Sequence, residues 1–204
     1  MTLPLEDDAP VEGPQPIDGR RARRERSRQQ VVDAVLDLLD EGVLRPTAQM
    51  VAERSGISLR SIFRIFDDVQ SLHEAATARH LERVGHLFRP IASAEGDLGR
   101  RIEQAVGTLA ELYEAVGPIR RAGQRLAPES EVFRARLDQA RVWVRGELER
   151  VFAPELAATD DPTVAPALEA VCSFEAWDQL REGQGCSVAE ARRVVSATVA
   201  RLLG

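Results

Sequence analysis

The chain is read as all-α, on three observations. Leu, Ala, Val, Glu and Arg dominate it, all of them except Val strong helix formers, and aromatic residues make up only 4% of its 204 positions. β-Branched residues nowhere alternate as a half-buried strand requires, and apolar residues instead recur at three- and four-residue spacing through segment after segment. The length suits one large or two small domains with enough apolar content for a core. Residues 1–19 are Pro-rich and carry five acids and no base, so this stretch is expected to be a disordered tail. The first helix is expected from about Arg24 to Glu41. Arg45-Pro46 closes the link after it, because Pro biases the residue before it away from helical angles.

Thr47 is an N-cap for a second helix whose apolar positions are Met50, Val51 and Ala52. Ser55-Gly56-Ile57 interrupts it, since Gly tolerates the left-handed backbone of a sharp helix exit. Ser58 caps a third helix carrying Leu59, Arg60, Ser61, Ile62, Phe63 and Arg64. Asp67 or Asp68 caps a fourth, which presents Leu72, Ala75, Ala76, Leu81 and Val84 and runs to Phe88, where Arg89-Pro90 ends it. Residues 97–116 follow with one apolar face. Gly117-Pro118 breaks the pattern and opens a short helix over 118–126. Residues 130–152 make another amphipathic helix, Ala153 to Pro166 a loop with three Pro and three acids, and residues 164–181 a helix with Leu168, Val171, Phe174, Trp177 and Leu180. Ser187-Val188-Ala189-Glu190 is a capping-box signature for the last helix.

Residues 47–66 carry the functional signal. A helix, a Gly-containing turn and a second helix at this spacing make a helix-turn-helix, whose second helix enters the DNA major groove. The plain alternative is a helical hairpin inside an all-helical core. Charge distribution favours the first reading. Net charge is −6, yet residues 20–64 hold ten Arg against six acids, whereas residues 65–204 hold seventeen Arg against twenty-two. Positive charge thus gathers on the unit that would meet DNA. Six Arg fall within residues 20–28, and Arg23, Arg24, Arg26 and Arg28 are candidates for a flexible arm that reaches phosphates or the minor groove.

Residues 29–72 resemble the N-terminal domain of the TetR family of bacterial transcriptional regulators. The resemblance rests on the amphipathic helix Val31–Leu39, Glu41-Gly42, Thr47, Ala52-Glu53-Arg54-Ser55-Gly56-Ile57-Ser58, Ile62-Phe63-Arg64-Ile65-Phe66 and the polar link to Leu72. The rest of the chain is similar to that family in length and helical character only. The family pattern usually has Tyr where Phe63 stands, often Lys where Val69 stands, and often His where Arg64 stands. Phe63 lacks the hydroxyl donor and Val69 the phosphate-binding cation, whereas Arg64 keeps a cation. The resemblance implies a three-helix DNA-reading domain (20–72, with its basic arm) followed by a helical effector-binding and dimerisation domain (73–204). It also implies a homodimer formed through the last two helices as a four-helix bundle, and a repressor that a small molecule releases from its operator.

On this reading Ser58, Leu59, Arg60 and Ser61 face the groove, with Arg60 as the bidentate guanine reader. Thr47 and Arg64 hold phosphates. Phe63 and Phe66 pack the unit, and Phe63 also reaches the sugar-phosphate backbone. A pocket among the middle helices is expected to use Tyr113, Phe133, Trp143 and Phe174, with Arg121, Arg125 or Arg141 as polar anchors. The wide apolar faces of the last two helices fit a twofold dimer that offers two reading helices to a pseudo-palindrome.

Other chemistries find little footing. There is no Gly-rich phosphate loop, nucleophile motif or metal-ligand spacing; His73, His80 and His86 read as surface or hinge residues, and no cofactor or metal is expected. Cys172 and Cys186 do not suggest a disulfide framework, and neither a signal peptide nor a membrane span is visible, so a cytoplasmic protein is expected. Two non-enzymatic alternatives remain: a helical small-molecule sensor without DNA recognition, and a DNA binder that contacts phosphates alone.

Overall fold

Arg and Ala favour helix, and neither Gly nor Pro interrupts the sequence between Arg20 and Asp40. The basic run is therefore not an arm but the first half of a 25-residue helix, α1 (Pro16–Asp40). The computed structural model describes residues 16–204, with side chains from Gly19 onward. The tail expected over 1–19 lies outside the described residues except for Pro16–Gly19, which form the first turn of α1. In the second half of α1, Val31, Val35, Leu38 and Leu39 are buried on one face and Val32 and Leu36 beside them, because α2, α3, α4 and α5 all pack against this helix.

The helix-turn-helix follows as α2 (Ala48–Ser55) and α3 (Leu59–Ile65). Gly56, at φ +69°, makes the left-handed exit from α2, and its N–H returns to the Ala52 carbonyl. α4 (Val69–Val84) is capped by Asp68, not Asp67: Asp68 Oδ1 accepts from Ser71 N at 2.7 Å, and Asp68 N donates to Ser71 Oγ. A 3₁₀ turn (Gly85–Leu87) carries the chain on to Phe88.

The break expected at Gly117-Pro118 does not occur. α5 (Leu98–Leu126) runs through Pro118 as one 29-residue helix. An interior Pro costs about 3 kcal/mol. Burial of Leu112, Val116 and Ile119 around it offsets that cost, at roughly 1.5–3 kcal/mol for each side chain. One turn back, the Ala115 carbonyl accepts a hydrogen bond from His80 Nε2 of α4 at 3.0 Å. α5 is the central post of the molecule, touching α1, α4, α6, α9 and α10.

α6 (Glu131–Val151) returns along α5. The loop expected after it is in part α7 (Ala153–Ala158), since Pro154 sits in a first turn that has no use for its missing N–H. The single helix expected over 164–181 is instead α8 (Val164–Val171), α9 (Phe174–Asp178) and a π turn (Gln179–Gly183). Ser173 makes the division: its Oγ donates to the Ala170 carbonyl at 2.7 Å and accepts from Ala176 N at 3.1 Å, ending one helix and starting the next. α10 (Val188–Leu203) opens on the reciprocal Ser187–Glu190 cap and buries Ala191, Val195 and Val199 against α5 and α8. The described residues contain no strand and the fold is all-α. None of their helices is long and apolar enough to cross a membrane.

Candidate nucleic-acid interface and inner cavity

α3 is held by its buried side and leaves its other side open. Ile62 and Phe66 are 1% and 3% exposed, and they fix the helix against α1 and α2. Leu59, Arg60, Phe63 and Arg64 are exposed. Phe63 is 51% exposed and does not pack the unit as expected; that work falls to Ile62 and Phe66. Ser58 Oγ accepts from Ser61 N and donates to Ser61 Oγ at 3.1 Å, so the two hydroxyls form one polar spot at the N-terminus of α3. Thr47 Oγ1 accepts from Met50 N at the start of α2, and its O–H remains able to donate to a phosphate.

The basic run meets this surface. Arg20, Arg23, Arg24 and Ser27 lie on one face of α1, at i, i+3, i+4 and i+7. With Ser58, Ser61 and Arg64 they line a groove between α1 and α3 to which no acidic side chain contributes among the described residues. Arg23 and Arg24 of the expected arm are thus brought beside α3. Arg26 and Arg28 do not line that groove: Arg26 Nε donates to the Ala22 carbonyl, and the Arg28 guanidinium lies 4.6 Å from the ring centroid of Phe66, at the far end of α3. Arg20 and Ser27 were not singled out by the sequence reading. Their helical spacing was the available signal, masked because the run was read as a flexible arm.

Among the described residues Arg60 and Arg64 form no ion pair, unlike many Arg of the body: Arg145 pairs with Glu169 at 2.7 Å, Arg181 with Glu114 at 2.8 Å and Arg89 with Glu111 at 3.0 Å. The Arg181 hydrogen bond, helped by one from Trp177, holds the Glu114 carboxyl below its ordinary range, against burial that raises it.

A second concavity lies inside the body, between α4, α5 and α6. It measures about 90 Å³, and its walls are mostly apolar, with Leu81, Leu112, Val116 and Ile119 among them. Of the four aromatic residues expected there, Tyr113, Phe133 and Trp143 line it. Phe174 does not; it is 2% exposed and sits edge-on to Tyr113, with ring centroids 5.6 Å apart. The Tyr113 hydroxyl is already used, donating to the Cys172 carbonyl at 2.7 Å, and burial raises its pKa far above the usual phenol range. Phe88 and Trp143 meet edge-to-face at 5.6 Å on the lining.

None of the three expected arginine anchors lines the cavity. Arg121 pairs with Asp178 at 3.0 Å, Arg141 with Asp138 and Glu175, and Arg125 supplies its carbonyl to Arg45. Arg120 and Arg136 stand there instead. Arg120 is 90% buried at its side chain, with its guanidinium 4.9 Å from the Phe174 ring centroid and Nη2 3.6 Å from Glu175. Burial raises the Glu175 carboxyl, but its own backbone N–H, Arg120 and Arg141 outweigh that and leave it below the ordinary range. Arg120 Nε and Arg136 Nη1 are buried and have no acceptor among the described residues. Such donors are costly, about 1–3 kcal/mol or more for a charged group.

Of the three histidines, His73 is buried rather than on the surface, His80 bonds the Pro118-bearing helix, and His86 is exposed. No three His, Cys, Asp or Glu side chains among the described residues converge as a metal site. Cys172 and Cys186 are free thiols, and burial pushes the Cys172 pKa up to about 12.

No family model matches the chain, and no curated protein matches it. Among solved structures, the chain is similar to the crystal structure of a candidate transcriptional regulator from Streptomyces coelicolor A3(2). The two superpose with a TM-score of 0.55 at 22% sequence identity, over 87% of this chain and 98% of that one. At this identity the likeness is one of fold.

Proposed function

We propose that this chain is a sequence-specific, DNA-binding transcriptional regulator of the TetR type, a homodimer that a small molecule releases from a pseudo-palindromic operator. The observation that carries the reading is the exposed side of α3, with Arg60 and Arg64 in no ion pair among the described residues, flanked by the groove that Arg20, Arg23 and Arg24 line. A helix that projects one cationic side from a rigid three-helix unit suits major-groove entry, and the adjoining groove suits a phosphate backbone. Residues 20–72 do the reading. Residues 73–204 hold the effector in the cavity and join the two copies through α8 and α10. The outer side of that helix pair exposes Ala165, Pro166, Ala170, Val194 and Ala197, small residues that allow close approach of a second copy.

Release works by coupling. α4 starts four residues after α3 ends and then lines the cavity with Thr77 and Leu81. A ligand that needs more room than the cavity offers must move α4 or α6. It thereby favours a conformation with the reading heads at another spacing, to which the operator binds less well.

The test is selection of bound duplexes from a random-sequence DNA pool at near-physiological salt. Enrichment of a pseudo-palindrome with half-sites about one helical turn apart is expected. A folded protein that enriches nothing is a sensor without DNA recognition if it also fails to bind bulk DNA, and a phosphate-only binder if it binds all duplexes with steep salt dependence.

A further inference from the structure

The cavity carries a chemical signature besides its apolar walls. Two of its fifteen described lining residues are arginines, none is acidic, and each arginine keeps a buried N–H donor with no acceptor among the described residues. The neighbouring carboxylates are otherwise engaged. Glu175 accepts from Gln124 at 3.0 Å and Arg141 at 3.2 Å while standing 3.6 Å from Arg120 Nη2, and Asp178 accepts from Arg121 at 3.0 Å. Arg136 forms no ion pair among the described residues.

We infer that the effector is an apolar molecule bearing one carboxylate, seated with its oxygens on Arg120 Nε and Arg136 Nη1 and its hydrocarbon part among Leu81, Leu112, Phe133 and Trp143. The inference rests on reading the cavity as the effector site. A neutral acceptor fills the hydrogen bonds but leaves Arg136 without a counter-charge; a carboxylate does both, in charge-assisted bonds of the stronger kind. Two free donors match its two oxygens, whereas a phosphate needs donors for three. The cavity, at about 90 Å³, is smaller than the roughly 150 Å³ void that takes up benzene. A carboxylic acid with an aromatic or branched tail therefore fits only if α4 or α6 gives way, and that displacement is what an effector requires.

The experiment titrates the full-length protein calorimetrically with matched acids and amides: acetate and acetamide, butyrate and butyramide, phenylacetate and phenylacetamide. Affinity is expected to rise with apolar size, and phenylacetate to bind roughly tenfold or more tighter than its amide. Arg136→Gln should erase most of that preference, lowering acid affinity far more than amide affinity, and Arg136→Lys should restore part of it; Arg120→Gln should act in the same direction. Ala140→Phe, which fills the cavity and keeps both arginines, should abolish binding of acid and amide alike. An amide that binds as well as its acid overturns the anion assignment and leaves the cavity reading standing. Acid binding that survives Ala140→Phe places the site elsewhere and overturns both. Failure of every pair to bind also overturns both. Binding of phenylacetate with no change in operator affinity keeps the ligand chemistry and removes its role as effector.

Discussion

Arg60 and Arg64 stand about one turn apart on α3, and their surroundings divide their roles. Arg64 lines the groove with Arg20, Arg23 and Arg24, where, on the proposed function, it would neutralise a phosphate. Arg60 is exposed outside that groove, near the N-terminus of the reading helix. Arg60→Ala is expected to cost about 1–3 kcal/mol on the selected operator and to relax sequence preference at one position per half-site. Arg64→Ala should weaken binding on all sequences and reduce the salt slope by about one for each head engaged. Competition binding across operator variants and salt titration separate them; an equal loss for Arg60→Ala on every duplex removes it as a base reader. His73 is a different kind of residue. Burial holds its imidazole below the ordinary 6.5, and a contact with the Pro46 carbonyl offsets part of that. The folded protein then binds fewer protons here than the unfolded chain, so stability is full above 6.5 and is lost as pH falls from 6.5 toward the folded value. Thermal midpoints should decline through that window, and His73→Gln should flatten the decline. Glu114 and Glu147, whose pKa values are lowered, act only below 4.5, where their stabilisation is lost as pH falls through the folded values. The capping residues Thr47, Ser58 and Ser187 were legible in the sequence because a cap is local. Arg120 and Arg136 were not. Successive residues on a helix point about 100° apart, so choosing Arg121 over Arg120 is an error of one position that only tertiary contacts correct.

Element boundaries show where local chemistry decides and where packing overrides it. Strong caps at Thr47, Ser58, Asp68 and Ser187 match their helices, whereas Pro118 failed as a stop because α5 is buried on several sides. The start of α1 was missed for the opposite reason: a charge run without apolar periodicity gives no amphipathic signal, yet Arg propagates a helix well. Because the run is helical, its arginines stand on a rigid rail rather than a loose arm. Arg20→Gln with Arg24→Gln should therefore lower the salt slope by about two per head and leave sequence preference intact. Loss of preference in that double variant, seen in the same pool selection, would reassign α1 to base reading. In the body, Arg101 joins three elements. It is 4% exposed and donates to the Val151 carbonyl at 2.7 Å, to the Gly96 carbonyl at 3.2 Å and to Glu155 in a bidentate pair. Arg101→Met leaves the mostly buried Glu155 without its partner, and is expected to cost about 3–5 kcal/mol in denaturant unfolding. Adding Glu155→Leu should recover much of this. No recovery would mean that the lost carbonyl contacts, not the orphaned charge, set the cost.

At the scale of the molecule, the reading unit and the body share one apolar core, so a displacement on one side is not absorbed by a flexible linker. Two polar contacts reinforce the joint close to the cavity. Gln70 Nε2, at the start of α4, donates to Ser130 Oγ at 3.0 Å, and Ser130 caps α6, the helix that brings Phe133 and Arg136 to the cavity. Arg45, in the link before α2, donates to the Arg125 carbonyl at 2.9 Å and to Glu129 at 3.1 Å, at the turn between α5 and α6. Both contacts touch the reading unit on one side and the cavity-lining helices on the other. Neither Gln70 nor Arg45 lines the cavity, the α3 surface or the basic groove. Removing them should therefore spare ligand binding and DNA binding measured separately and reduce what one does to the other. Coupling free energies between sites are typically about 1–3 kcal/mol, a change of roughly 5–150-fold in affinity. For Gln70→Ala with Arg45→Ala, the ratio of operator affinity without and with saturating ligand is expected to fall several-fold toward one. By reciprocity, the ratio of ligand affinity without and with operator must fall by the same factor. An unchanged ratio would leave the apolar joint of α1, α4 and α5 as the carrier of the coupling. A variant that loses operator affinity even without ligand would show that these contacts set the resting spacing of the heads.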